Sequence, residues 1–193
     1  MPTARRIERM SQVIKHRQPD LTVVCENIHD PHNVSAILRS CDAVGIEIVH
    51  LFYTNQEFPK LGKKSSASAK KWIDIERHQE ENKLRESLKN QGMSIYATGL
   101  NEKAVSIYEV DWTKPSAVIM GNEHLGVSDE VLQIADASVY IPMFGMIESL
   151  NVSVATAVIL YEACRQRMLK GLYPNPHLTE KELSLMLERW KKK

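Results

Sequence analysis

Short β-rich runs alternate with helix-forming segments along almost the whole chain, and that alternation leaves few folds open. LTVVCENI (21–28), IEIVHLFY (46–53), WIDIE (72–76), MSIYATGL (93–100), SAVIMG (116–121) and SVYIPM (138–143) read as strands. Between them, VSAILRSCDAVG places Ala36, Ile37, Ser40, Cys41 and Val44 on one helical face, with Gly45 where a C-terminal cap belongs. HQEENKLRESLKNQG, closed by Gly92, and VSDEVLQIAD read as further helices. Such a pattern predicts an α/β fold, with a mostly parallel sheet covered by helices on both faces. Sheets of this kind bind ligands at the carboxyl ends of their strands.

Helices flank the alternating core. ARRIERMSQVIKHRQ carries Ile7, Met10, Val13 and Ile14 at helical spacing on a basic surface and ends before Pro19. A long helix is expected from about Asn151 to Lys170, and an amphipathic one from about Thr179 to Trp190. The chain's 193 residues suit a single core. The loop from Thr54 to Lys71, with KLGKKSSASAKK, is the one long connection, either a solubility feature or an arm that contacts phosphates.

Charge is distributed unevenly. Residues 1–17 carry a net +4 and residues 165–193 a net +5, yet the whole chain carries only +1, which leaves −8 on the middle. Two basic ends around an acidic middle suit contact between the ends and a polyanion. No apolar run reaches the roughly 20 residues of a membrane span, and MPTARRIERM lacks the apolar core of a signal peptide, so a cytoplasmic protein without a membrane partner is expected. Cys25, Cys41 and Cys164 are odd in number and far apart, as reduced, mostly buried thiols would be.

Several chemistries lack their signatures. GxGxxG, the P-loop, GxSxG and HExxH are all missing, and the seven histidines show no ligand spacing, so no metal is expected. Three strand-to-loop junctions remain. In HNVSAILRS, Asn33 suits a helix N-cap and Arg39 follows six residues later. In MGNEHLGVSDE, Gly121 and Gly126 bracket a turn that can bring backbone amides to a ligand, with Glu123 between them. In IPMFGMIESLNVS, Ser149 and Asn151 stand at a helix start, where capping is the plain explanation.

Taken in order, HNVSAILRSCDAVG, VIMGNEHLGVSDE and IPMFGMIESLNVSVATAVILYEACRQR resemble the three motifs of the SpoU branch of the SPOUT methyltransferases. RQPDL (17–21), VDWTKP (110–115) and GLY (171–173) extend the likeness over nearly the whole chain, toward members that methylate the ribose 2′-oxygen of guanosine-18 in the tRNA D-loop. The resemblance implies one domain over 1–193: a basic helical extension (1–20), a catalytic core (21–170) whose C-terminal part is threaded into a deep trefoil knot, and a C-terminal helical extension (171–193). It further implies a homodimer acting on tRNA rather than DNA, with S-adenosyl-L-methionine as methyl donor; the alternatives are a SpoU-type 2′-O-methyltransferase for another tRNA position or for rRNA, and a non-catalytic knotted RNA-binding protein.

Residue by residue, the resemblance assigns the donor loops to positions around Thr98, Leu100, Gly121, Ile141, Met143 and Leu150. Arg39 is the implied catalytic residue, either as a base or as a bidentate clamp on a substrate phosphate. Asn33 would support Arg39 and the ribose, Glu123 would brace the site, and Ser149 and Asn151 would line it beside the donor. Arg17, Arg165 and Arg167 match positions associated with tRNA contact. Glu148 departs from the glutamine of many relatives, and SSASAKKW lacks the glycine-serine pair often found before that tryptophan.

Overall fold

In the computed structural model, residues 2–60, 69–173 and 178–193 are described, and residues 61–68 of the lysine-rich loop expected at 54–71 lie outside them. Seven strands form one sheet: β1 (Leu21–Glu26), β2 (Ile48–Phe52), β3 (Asp74–His78), β4 (Ser94–Thr98), β5 (Val105–Ser106), β6 (Ser116–Met120) and β7 (Ala137–Tyr140). Their order is β3-β2-β1-β6-β4-β7-β5, and every pairing is parallel. The two central strands, LTVVCE and SAVIM, are buried at every position because both of their faces are covered.

The described residues form six α-helices, α1 (Ala4–Lys15), α2 (Pro31–Ala43), α3 (Glu81–Asn90), α4 (Asp129–Ile134), α5 (Val152–Leu169) and α6 (Glu180–Lys191), of which α2 to α5 supply that cover. Val34, Ile37, Leu38 and Cys41 of α2 join Ile159, Leu160 and Ala163 of α5 in a core that includes Val23 and Cys25 of β1. On the opposite face, Leu84 and Leu88 of α3 and Val131 and Ile134 of α4 pack with Val24, Phe52, Ile95 and Ile119. Successive strand residues point to opposite faces, so neighbours such as Val23 and Val24 serve different cores.

The two basic ends meet. Met10 and Ile14 of α1 pack with Met186 and Trp190 of α6 in a third small cluster, which Trp72 also joins. The sequence sets the ends of both helices locally: Thr3 accepts from the Arg6 N–H, and Thr179 and Glu182 form a reciprocal capping box on α6.

Three expectations are corrected in detail. Asn33 does not cap α2. Asp30 does, accepting from the His32 N–H at 2.8 Å, because Pro31 already holds the backbone angle needed at the first helical position. The strand expected at 72–76 lies at Asp74–His78, since Ala69–Lys71 form a 3-10 turn whose Ala69 carbonyl takes the N–H groups of both Trp72 and Ile73. β5, two residues at the sheet edge beside β7, is too short to carry a periodic signal.

Candidate active site

The carboxyl ends of β1, β6, β4 and β7 lie side by side, and the loops leaving them build the site. Asn27, just past β1, takes a left-handed conformation (φ 46°), which a short polar side chain tolerates. Its carbonyl accepts from Asn122 Nδ2 at 2.7 Å, which ties the end of β1 to the loop after β6. Asn122 Oδ1 also accepts the His124 and Leu125 N–H groups, while Asn122 and Gly126 exchange two backbone bonds of 2.9 Å. That closed loop brings the Gly126 backbone against Gly121, where a Cβ would sit 2.2 Å from the Gly126 carbonyl carbon. Only glycine fits at 121.

Glu123, on the same loop, reaches across to the start of α2. Its carboxylate accepts the His29 N–H at 2.9 Å, the Asp30 N–H at 3.2 Å and Asn33 Nδ2 at 2.8 Å. Partial burial alone would raise its pKa, but the Asn33 amide and the backbone donors outweigh that and hold it below the ordinary glutamate value. Asn33 then accepts from Asn151 Nδ2 at 3.1 Å through its own Oδ1. Asn151 caps α5, its Oδ1 taking the Ser153 N–H at 2.9 Å and the Ser153 hydroxyl at 2.6 Å. A single relay, Glu123–Asn33–Asn151, therefore joins the three motif loops.

Beside this relay opens a cleft of about 820 Å³. Thr98 and Leu100 line it from the loop after β4, Gly121 and Glu123 from the loop after β6, and Ile141, Met143, Ser149, Leu150 and Asn151 from the segment between β7 and α5. Every donor-loop position named from the sequence is thus in one cavity. Glu148 lines it as well, and it is exposed. Thr98 is oriented by donating to the Ile119 carbonyl at 3.0 Å.

Arg39 stands apart from that lining. It lies on the solvent stripe of α2 with His32 and Ala43, opposite the buried Val34, Ile37, Leu38 and Cys41. Asn33 supports Glu123 and Asn151, so within one chain no hydrogen bond joins it to Arg39.

The reading of Arg17 and Arg167 as tRNA contacts is overturned: both are buried and bonded within the chain, with Arg17 Nε left without a hydrogen-bond partner among the described residues. Arg17 donates to the Ile46 carbonyl at 2.6 Å and Asp42 Oδ1 at 2.7 Å, with its guanidinium 5.1 Å from the Trp190 ring. Arg167 donates to Asp20 Oδ1 at 2.6 Å, Gln18 Oε1 at 3.0 Å and the carbonyls of Trp112 and Lys114. Periodicity marks a charged residue as a surface residue; these two instead neutralise carbonyls and carboxylates where α1, α5 and the sheet converge. Arg165 does face solvent, in a two-bond ion pair with the buried Glu162.

The residues that sequence reasoning passed over are Asn27, Asn122 and the backbone of His29 and Asp30. The asparagine before Glu123 was the available signal for the loop closure, since Asn side chains readily bond the backbone two residues on.

Comparison with known proteins places this geometry in a family. Residues 20–161 match the model of the SpoU rRNA Methylase family, and the chain belongs to that family. Within it, the chain is similar to the tRNA (guanosine(18)-2′-O)-methyltransferase of Thermus thermophilus, with 47% identity over 191 residues that cover 99% of this chain and 98% of that protein. Among solved structures, the Aquifex aeolicus TrmH/SpoU tRNA modifying enzyme superposes with a TM-score of 0.91 at 42% identity, over 97% of this chain and 95% of that one. The SpoU methyltransferase AviRb of Streptomyces viridochromogenes, in complex with AdoMet, superposes with a TM-score of 0.72 at 26% identity, over 81% of this chain and 64% of that one.

Proposed function

We propose that this protein transfers a methyl group from S-adenosylmethionine to the ribose 2′-oxygen of guanosine-18 in tRNA. The observation that carries the reading is the meeting of all three motif loops, through Glu123–Asn33–Asn151, at one rim of a cleft large enough for a nucleoside-sized ligand. Near full-length similarity to enzymes named for that reaction supports the choice of substrate.

The residues present fit the donor. Gly121 lets the Gly126 backbone close against it and so shapes the loop at the cleft wall, while Leu100, Ile141, Met143 and Leu150 offer apolar lining. A sulfonium-bound methyl is what the donor supplies when it is held there. Glu123 has the narrower task of bracing: it fixes the β1–α2 and β6–α4 loops relative to one another. Asn33, locked at both ends of its amide, positions the α5 N-terminus at the cleft.

Arg39 serves as a permanently charged fork that binds a phosphate beside the target ribose and holds the 2′-oxygen in line. Its separation from the cleft within one chain favours a homodimer in which the site is completed between copies. Exposed apolar side chains at and beside the cleft mouth, including Phe144 (98% exposed), Met146 (99%) and Leu125 (81%), suit cover by a second chain. The threading of the segment before α5 through a trefoil knot, and a cytoplasmic location, belong to the same proposal; among the described residues no helix is long and apolar enough to cross a membrane. For tRNA, Arg165 and the exposed Arg5, Arg9 and Lys15 of α1 replace the buried arginines as backbone contacts.

The test is labelled methyl transfer to an unmodified tRNA transcript, with the product mapped by nuclease digestion. Label on the guanosine-18 ribose is expected. Label on a base, or none with donor and tRNA present, overturns the proposal.

A further inference from the structure

On the α3 side of the sheet, far along the strand order from the cleft, three potential metal ligands converge: His50 of β2 and Glu76 and His78 of β3. Strand register brings them together. His50 pairs with Glu76 and Phe52 with His78, so Glu76 and His78, two residues apart, point to the same face as His50. Ser87 of α3 marks that face by donating to Glu76 Oε2 at 3.4 Å.

The donor atoms face one another. His50 Nδ1 and His78 Nε2 are 3.0 Å apart, and Glu76 Oε2 is 3.5 Å from the first and 3.8 Å from the second. A triangle with those sides has a centre about 2.0 Å from every corner, within the Zn–N and Zn–O bond range of roughly 2.0–2.2 Å. An ion therefore needs almost no side-chain movement to bind.

We propose that His50, Glu76 and His78 form a zinc site that clips the edge strand β3 to β2. Two imidazoles and a carboxylate suit this ion, and the half-exposed Glu76 leaves an entry path and a position for water as the fourth ligand. Ser87 fixes the carboxylate from outside the ligand set. The ligands come from paired positions of β2 and β3, so the role of the ion is to hold the sheet edge.

Cobalt is the probe. The full chain, treated with chelator and titrated with Co²⁺, should take one equivalent with the visible absorption of a four-coordinate ion, which Zn²⁺ then abolishes. Zn²⁺ should also raise the Tm. Glu76→Gln and His78→Gln, both partly exposed positions, should stay folded by circular dichroism and weaken Co²⁺ binding at least about tenfold. His16→Gln, at the end of α1, should bind as the parent does. Absence of the four-coordinate spectrum, or equal binding by parent, Glu76→Gln and His78→Gln, overturns the site.

Discussion

Asn33 Nδ2 donates to Glu123 Oε1 at 2.8 Å across 90 positions of sequence, while Asn33 Oδ1 accepts from Asn151 at 3.1 Å. An amide committed at both ends tolerates no isostere that reverses a donor or removes charge from its partner. Asn33→Ala and Glu123→Gln should each lower methyl transfer, and the double variant should lose less than their sum. A double-mutant cycle on stability should give a coupling of about 1–3 kcal/mol, with zero coupling showing that the contact is incidental.

Glu123 also sets a pH dependence. Its pKa in the folded protein lies below the ordinary value of 4.5, so the unfolded state binds the proton more readily. The stabilisation is fully present above about pH 4.5 and is lost as pH falls through the depressed folded value. Thermal midpoints measured across the acid range should fall more steeply for the parent than for Glu123→Gln; parallel curves would contradict the assignment.

Gly121→Ala should destabilise the protein by about 1–3 kcal/mol and abolish donor binding, because the added Cβ meets the Gly126 backbone rather than a movable side chain. Gly145→Ala meets nothing within 4 Å and should leave the midpoint unchanged. Denaturation and calorimetric binding of S-adenosylmethionine read the two effects separately.

The arginines should divide by burial. Arg17→Ala and Arg167→Ala each strand a carboxylate and several carbonyls, and should cost about 3–5 kcal/mol. Arg165→Ala should cost less stability than either, because Gln166 still donates to the buried Glu162 carboxylate at 2.8 Å, yet it should weaken tRNA binding and flatten its salt dependence. Salt titrations of tRNA affinity beside chemical denaturation distinguish these outcomes.

Arg39→Ala, on the solvent stripe of α2, should change stability by no more than about 0.5 kcal/mol while lowering turnover by about 10²-fold or more. Arg39→Lys should recover little, since an ammonium lacks the planar fork. Activity within a few-fold of the parent for Arg39→Ala would remove Arg39 from the reaction.

A strictly local pattern determined much of this protein. Alternating runs set the order of strands and helices, and the three motifs indicated the loops that line the cleft. Helix caps at Thr3, Ser128 and Thr179 follow from neighbouring residues alone. The tertiary structure decided the rest, because the decisive partners are far apart in sequence. Strand order put the ends of β1 and β6 side by side, so that Glu123 could reach the start of α2. Packing buried Arg17 and Arg167, which the family resemblance had assigned to tRNA contact. Strand register gathered His50, Glu76 and His78, whose spacing in the chain carries no ligand signature. Periodicity reports which face a residue occupies, whereas hydrogen bonds and metal sites depend on which distant face lies opposite, and only the folded chain fixes that.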